Sequence, residues 1–131
     1  MHSDPISEML SRIRNACLRG HPFTLVPHSK LKENIIKVLL AEGFVSDYEV
    51  KANRSLKNLK ISLKYLKDGS PLIRSISRIS KPGRRVFVGV NKITPVLNSQ
   101  GIKVVSTPSG IKSDNECREQ NLGGELICEI Y

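Results

Sequence analysis

The acidic side chains near the end of the chain are the residues whose spacing could support acid–base catalysis. Glu125 and Glu129 lie in a segment that reads as a strand, and side chains an even number of positions apart share one face of a strand. A pair of carboxylates on one face is the arrangement used in glycoside hydrolysis. The chain, however, has no glycine signature for phosphates or dinucleotides and no nucleophile elbow. We therefore predict that it is not an enzyme and that it uses no cofactor and no small-molecule substrate.

The histidines and cysteines do not have the spacing of metal ligands. The histidines lie in helix-flanking or loop sequence, and the cysteines form no Cys-x-x-Cys pair. These six residues are His2, His21, His28, Cys17, Cys117 and Cys128. Free cysteines are usually small buried apolar residues, and an odd number favours a reducing compartment. We expect three buried thiols and no metal site.

The charge of the chain is basic and unevenly distributed. Lys and Arg total 21 against 12 acids, which gives a formal net charge of +9. Residues 51–112 carry 14 of these cations and one acid, Asp68, whereas residues 113–131 carry Arg118 and five acids. Phosphate backbones are the commonest partner of such a surface, although an adaptor that docks an acidic protein is an alternative. No apolar run approaches the roughly 18 residues of a membrane span, so we predict no membrane partner.

Three segments have the residue types that bind RNA. They are the basic turn with Lys81, Arg84 and Arg85, the aromatic Phe87, and the polar turn with Ser106, Thr107, Ser109 and Gly110. Cations can contact phosphates, an aromatic ring can stack on a base, and a polar turn offers hydroxyls and amides. Each segment also has an ordinary explanation: a surface turn, a core phenylalanine on an alternating strand, and simple turn chemistry. With three Phe, three Tyr and no Trp, structured RNA is a better target than a stacked single strand.

Two further cations, Arg12 and Arg14, lie in the C-terminal half of the first predicted helix. They could contact phosphate, or they could compensate the helix dipole and remain solvated. Both interpretations stay open from the sequence.

Capping residues and apolar periodicity predict the elements that position these residues. Helices are expected from Pro5 to Gly20, over 30–42 with Ser29 as its cap, over 92–99, and after the Ser113–Glu116 capping box. The second helix should bury Leu31, Ile35, Val38 and Leu39. Strands are expected over 23–26, 44–50, 59–66, 72–79, 86–90, 102–106 and 125–131. This order predicts an α+β fold with an N-terminal α-β-α-β-β lobe (1–66), a linker (67–71), and a mostly antiparallel β lobe with short helices (72–131).

The C-terminal sequence closely resembles the bacterial-type small-subunit ribosomal protein eight family. The resemblance is carried by GIKVVSTPSGI at 101–111, Ser113-Asp114 and GGELIC at 123–128. It continues in Asp4-Pro5-Ile6, Met9-Leu10, RIRN at 12–15, Glu42-Gly43-Phe44, Leu63-Lys64-Tyr65 and RISKPG at 78–83. These fragments occur in order from end to end, and the set is far more specific than any one of them.

The resemblance implies a two-lobed fold that binds the central domain of small-subunit ribosomal RNA at an irregular stem, chiefly through the C-terminal lobe. Neighbouring small-subunit ribosomal proteins, and the protein's own messenger RNA, are the other implied partners. It implies a location on the ribosome, in a bacterial cytoplasm or in an organelle. Carried over by position, Ser106, Thr107 and Gly110 form the RNA-contacting turn. Glu125 supports it, and Lys81, Arg84, Arg85 and Phe87 form the basic loop and strand.

The sequence departs from the pattern of this family at three positions. Pro108 stands where the family usually has a second serine, and Ser109 stands where it has a lysine or another polar residue. Proline donates no hydrogen bond, so one contact implied by the resemblance is lost or is replaced by Ser109. Phe87 stands where the family often has tyrosine, so the ring is kept without its hydroxyl.

Overall fold

A computed structural model describes residues 4–97 and 100–131, which form two compact units. The N-terminal unit is Ile6–Arg74, and the C-terminal unit is Ser75–Tyr131 together with Asp4 and Pro5. The elements before Arg74 are α1 (Pro5–Leu18), β1 (Phe23–Pro27), α2 (Lys30–Ala41), β2 (Asp47–Asn53) and β3 (Leu56–Ser62). The later ones are β4 (Ile76–Arg78), β5 (Phe87–Val88), a 3-10 helix (Val90–Lys92), β6 (Ile102–Thr107), β7 (Gly110–Ser113), α3 (Asp114–Gln120) and β8 (Gly124–Ile130). The predicted α+β class is confirmed.

The N-terminal unit has two helices and an antiparallel three-stranded sheet in the order β1-β3-β2. Its elements begin and end at residues with clear local signals. Ser29 caps α2 by accepting a hydrogen bond from the Lys32 amide at 3.2 Å, and Gly20 adopts a φ of 70° after α1. Leu59 and Ile61 of β3 are fully buried at alternate positions, in agreement with the alternation of apolar and polar residues at 59–63 of the sequence. The apolar faces of the helices and of β3 supply the core.

Three details of the N-terminal unit differ from the sequence prediction. The strand predicted over 59–66 is β3, which begins at Leu56 and ends at Ser62. Leu31 is not part of the buried face of α2: 44% of it is exposed, and Lys32 is buried instead. Lys32 can be buried because its amine donates a hydrogen bond to the carbonyl of Pro27 at 3.0 Å. The predicted strand at 44–50 starts only at Asp47, because Phe44 and Val45 are buried in the turn that leaves α2.

The segment predicted to be a linker, residues 67–71, forms a turn in the N-terminal unit. The amide of Leu66 donates to the carbonyl of Ser70 at 2.8 Å, and the carboxylate of Asp68 accepts from the amide of Ser70 at 2.9 Å. Gly69 has a φ of 89° in this turn. The division between the two units comes after Arg74, and a linker role for 67–71 stays a prediction.

The sheet of the C-terminal unit is antiparallel, and β8 is its central strand. β8 pairs with β4 and β5 on one side and with β6 on the other, and β7 pairs with β6. One face of the sheet covers a core of Ile93, Val105, Cys117 and Leu126. All three cysteines are free and buried, as predicted, and burial raises the pKa of the Cys128 thiol to about 12. The Ser113 cap of α3 is also confirmed, since its hydroxyl accepts from the Glu116 amide at 3.3 Å.

Other predicted elements of the C-terminal unit are shorter or absent. The strands at 72–79 and 86–90 shrink to β4 and β5, and the structure adds β7, which the sequence analysis did not predict. The predicted helix at 92–99 is not formed in its described part: a 3-10 helix ends at Lys92, and Ile93 turns into the core. Pro95 has no amide hydrogen for a helix. Asn98 and Ser99 lie outside the described residues.

Candidate nucleic-acid interface

Four side chains form a row across the face of the C-terminal sheet opposite its Val105–Leu126 core. Phe87 of β5 lies opposite Glu125 of β8, Glu125 lies opposite Ser106 of β6, and Ser106 lies opposite Ile111 of β7. Residues directly opposite one another in an antiparallel sheet project to the same face. The sheet therefore brings together an aromatic ring, a carboxylate and a hydroxyl that are far apart in the sequence.

Phe87 is the most exposed member of this row. It is 69% exposed, so the alternative that it is a core phenylalanine is wrong. β5 contains only Phe87 and Val88, and the alternation of this short strand places Val88 against the core cluster. An exposed aromatic ring at the end of such a row is available for stacking on a base or packing on a ribose.

The carboxylate of Glu125 is held from two sides. The guanidinium of Arg85 forms an ion pair with it at 3.1 Å, and the hydroxyl of Ser80 donates a hydrogen bond to the same oxygen. Ser80 has no exposed surface, and its oxygen also accepts from the amide of Val86 at 3.2 Å. Ser80 thereby holds both the carboxylate of Glu125 and the backbone that follows the basic turn at Val86. The sequence analysis did not identify Ser80 as a site residue. Its position directly before the basic turn was the one sequence feature that could have indicated this role.

The basic turn is a tight hairpin connection rather than a loose loop. Lys81 and Arg84 donate their amides to each other's carbonyls, both at 2.9 Å, so that Pro82 and Gly83 form a two-residue loop. Proline sets the φ angle that the first position of such a turn needs. The side chains of Lys81, Arg84 and Arg85 are exposed, although Arg85 also pairs with Glu125. The cations are thus presented on a defined backbone beside the row.

The polar turn between β6 and β7 is organised by Thr107. Its hydroxyl donates to the carbonyl of Gly110 at 2.7 Å and accepts from the amide of Ser109 at 3.1 Å. Thr107 is 8% exposed, whereas Pro108 and Ser109 are exposed, and Gly110 adopts a φ of 119° that favours glycine. Thr107 and Gly110 therefore shape the turn, and Ser109 is its exposed hydroxyl.

Pro108 fits this turn without strain. Thr107 and Gly110 are paired across the hairpin, which makes Pro108 the first residue of a two-residue loop. That position tolerates the loss of an amide hydrogen and favours the fixed φ of proline. The turn keeps its internal hydrogen bonds, and replacement of the lost contact by Ser109 stays a prediction.

Replacing Thr107 with valine should lower the free energy of unfolding by about 1–2 kcal/mol, because the amide of Ser109 and the carbonyl of Gly110 lose their partner. Replacing Ser109 with alanine should leave stability unchanged, since its side chain is exposed. Thermal unfolding of both variants measures the difference. Equal melting temperatures for Thr107→Val and wild type would show that the turn does not depend on this hydroxyl.

Arg12 and Arg14 lie on α1 of the N-terminal unit and are not part of this row. The guanidinium of Arg12 donates to the carbonyl of Leu25 at 2.8 Å and pairs with Glu8 at 3.0 Å, so it covers the open edge of β1. Arg14 is exposed. A role for either residue in RNA binding stays a prediction.

Glu125 and Glu129 do not form the carboxylate pair that their spacing suggested. The pairing between β6 and β8 shifts between Val104 and Val105, which inserts one extra residue into β8. Such a bulge reverses the alternation of the strand, and Glu129, which lies opposite Lys103, faces away from Glu125.

Within the described residues, no group of three His, Cys, Asp or Glu could hold a metal ion. Nor is any helix of residues 4–97 and 100–131 long and apolar enough to cross a membrane.

Comparison with known protein sequences relates this chain to one family. The sequence model of the family described as ribosomal protein S8 matches residues 4–131. Proteins named small ribosomal subunit protein uS8 are similar over nearly the whole chain: that of Chelativorans sp. is 46% identical over 130 residues, covering 98% of each chain. That of Brucella melitensis is 47% identical over 130 residues with the same coverage, and that of Solibacter usitatus is 42% identical over 131 residues, covering all of both chains.

Proposed function

This chain belongs to the ribosomal protein S8 family, which consists of structural proteins rather than enzymes, and we propose that it binds small-subunit ribosomal RNA through its C-terminal unit. The target is an irregular stem in the central domain of that RNA, and the binding supports subunit assembly. The observation that carries this proposal is the row of Phe87, Glu125, Ser106 and Ile111, flanked by the basic turn and the polar turn. The chain's place is the small subunit of the ribosome, in a bacterial cytoplasm or in an organelle.

The two turns have different tasks in this proposal. Lys81 and Arg84 lie on an exposed, tight hairpin turn, and exposed cations attract phosphate over long distances without reading sequence. Ser106, Ser109 and Phe87 carry no charge. They contact riboses and unpaired bases, which an irregular stem exposes and a regular helix does not.

Glu125 is an acidic residue on a surface that binds a polyanion, and its contacts explain how a carboxylate is tolerated there. Arg85 neutralises the carboxylate, and the hydrogen bond from Ser80 holds it in position. The pair supports the surface between Phe87 and Ser106 rather than attracting RNA. Glu125 accordingly sets the position of Arg85, and Arg85 offers its remaining amino groups to a phosphate.

Arg84→Ala should weaken binding to an unrelated RNA nearly as much as binding to the ribosomal stem, because Arg84 is assigned to phosphate. Ser106→Ala should weaken binding to the ribosomal stem alone. Titration of both RNAs with both variants, at two salt concentrations, measures the effects, and Arg84→Ala should reduce the salt slope by about 1. If Arg84→Ala weakened binding to the ribosomal stem but not to the unrelated RNA, the assignment of Arg84 to phosphate would be wrong.

Sedimentation tests the location of the protein in the cell. The chain should cofractionate with small ribosomal subunits, where neighbouring ribosomal proteins are its further partners. The same surface could also recognise its own messenger RNA if that RNA folds into a similar stem. A chain found only in fractions free of ribosomal subunits would contradict the ribosomal proposal and favour a free RNA-binding regulator.

A further inference from the structure

A basic hairpin, residues 51–58, extends beyond the core of the N-terminal sheet. β2 and β3 continue to pair through Lys51–Asn58, Ala52–Lys57 and Asn53–Leu56, whereas the pairing of β1 with β3 ends at Asn58. Every residue of the hairpin is exposed, and burial resumes at Leu59. Beyond its base, where Asn58 lies opposite Pro27 and the amide of His28 donates to the carbonyl of Lys57 at 3.0 Å, the hairpin is thus a two-stranded ribbon.

The charge of the hairpin is entirely positive. It contains Lys51, Arg54 and Lys57 and no acid. Among the described residues, none forms an ion pair with these three side chains, whereas Arg12 and Lys37 of the same unit pair with Glu8 and Glu33. Three solvated cations on one short ribbon form an attractive site for phosphate.

Arg54 lies at the tip of the hairpin in a costly backbone conformation. Its φ is 58°, in the left-handed region that glycine or asparagine adopts at much lower cost. Arginine at this position therefore keeps a charge at the tip at the expense of stability. A two-residue hairpin loop calls for a positive φ at its first position, so the feature to explain is arginine in place of glycine or asparagine, and a use for its charge is the explanation that strain of this kind supports.

We propose that residues 51–58 are a second RNA-contact surface, which binds phosphates of small-subunit ribosomal RNA outside the stem held by the C-terminal unit. This inference rests on the proposed ribosomal function. The surface favours RNA over a protein partner because Leu56 is its one large apolar side chain, and a protein interface needs a more apolar centre. Asn53 and Asn58 add amide donors that can contact the same backbone.

The test compares two double variants that remove the same charge from the N-terminal unit. Lys51→Gln with Lys57→Gln changes the hairpin, and Lys30→Gln with Lys67→Gln changes exposed cations elsewhere. The full chain is titrated with a transcript of the whole central domain and with the short stem alone. The hairpin variant should bind the long transcript about 10-fold more weakly, with a salt slope reduced by about 2, and should bind the short stem as wild type does.

The other outcomes overturn the inference in different ways. An equal loss of affinity for the long transcript in both double variants would mean that only the net charge of the protein matters. Unchanged binding of the long transcript, with loss of a ribosomal protein from reconstituted subunits, would assign the hairpin to a protein partner. If the wild-type protein bound the short stem no better than an unrelated RNA, the proposed function itself would be wrong. That measurement uses no hairpin variant, so the two failures can be told apart.

A single substitution provides a second measurement that a folding defect cannot imitate. Arg54→Gly removes the charge and relieves the left-handed strain, so the melting temperature should stay the same or rise. Affinity for the long transcript should nevertheless fall about threefold at moderate salt. A more stable variant that binds the long transcript as well as wild type would show that Arg54 does not contact RNA.

Discussion

Gly124→Ala is expected to lower the free energy of unfolding by about 3 kcal/mol or more, because no side chain fits between β8 and β6. A Cβ atom on Gly124 would overlap the carbonyl oxygen of Ser106 and would lie 3.3 Å from the Cα of Thr107. Both obstacles are backbone atoms of a paired strand, which cannot move aside without breaking the sheet. Thermal unfolding should show a melting temperature lower by roughly 10 °C.

Gly89→Ala provides the matched control for this prediction. Gly89 lies in the same unit, has a φ of −76°, and would place its Cβ more than 4 Å from other heavy atoms. Its replacement should therefore change the melting temperature little. A Gly124→Ala protein as stable as Gly89→Ala would show that β6 and β8 can separate at this end of the sheet.

Gly124 also contributes to the geometry of the row, because it lets β8 approach β6 closely beside Glu125. Glu125, which follows Gly124, lies opposite both Phe87 and Ser106. The close approach of the strands at Gly124 sets the spacing of that row. A change that only pushes β8 away from β6 should therefore lower RNA affinity as well as stability.

Elements with strong local signals were predictable from the sequence. The serine caps of α2 and α3, the glycine after α1 and the alternation of β3 depend on neighbouring residues alone, and the structure confirms them. The two-residue turn at Pro82–Gly83 belongs to the same group. In these cases the residue that ends or begins the element is itself the physical cause.

Features that depend on distant contacts could not be predicted in this way. The β8 bulge, which separates Glu125 from Glu129, is a property of the pairing with β6, and periodicity within one strand does not reveal it. Burial of Lys32 in place of Leu31 requires a carbonyl from β1. Likewise, the exposure of Phe87 follows from the pairing of a two-residue strand with β8, and an alternating pattern fits either face.

The candidate site shows the same division between local and distant information. Sequence alone indicated the two turns, because proline, glycine and serine determine turn geometry locally. It did not indicate Ser80, whose role depends on Glu125, 45 positions later. It also could not assign Thr107 an internal role, because a threonine hydroxyl in a turn can bind either RNA or the turn's own backbone.

Phe87→Ala is expected to weaken binding to the ribosomal stem by about 1–3 kcal/mol, roughly 5- to 150-fold, if its ring stacks on an unpaired base. The ring is mostly exposed, so its removal should cost little stability. Titration of the stem with the variant measures the affinity, and circular dichroism with thermal unfolding checks that the fold is kept.

Two further substitutions at Phe87 separate stacking from simple apolar contact. Phe87→Tyr keeps the aromatic face and should bind at least as well as wild type, since a hydroxyl beside the ring can meet a phosphate or ribose. Phe87→Leu keeps apolar surface without the aromatic face, so it should bind nearly as weakly as Phe87→Ala. If Phe87→Leu binds like wild type, the ring packs on a ribose instead of stacking on a base. If Phe87→Ala also binds like wild type, RNA does not reach this end of the row, and recognition is left to Ser106 and the Thr107–Gly110 turn.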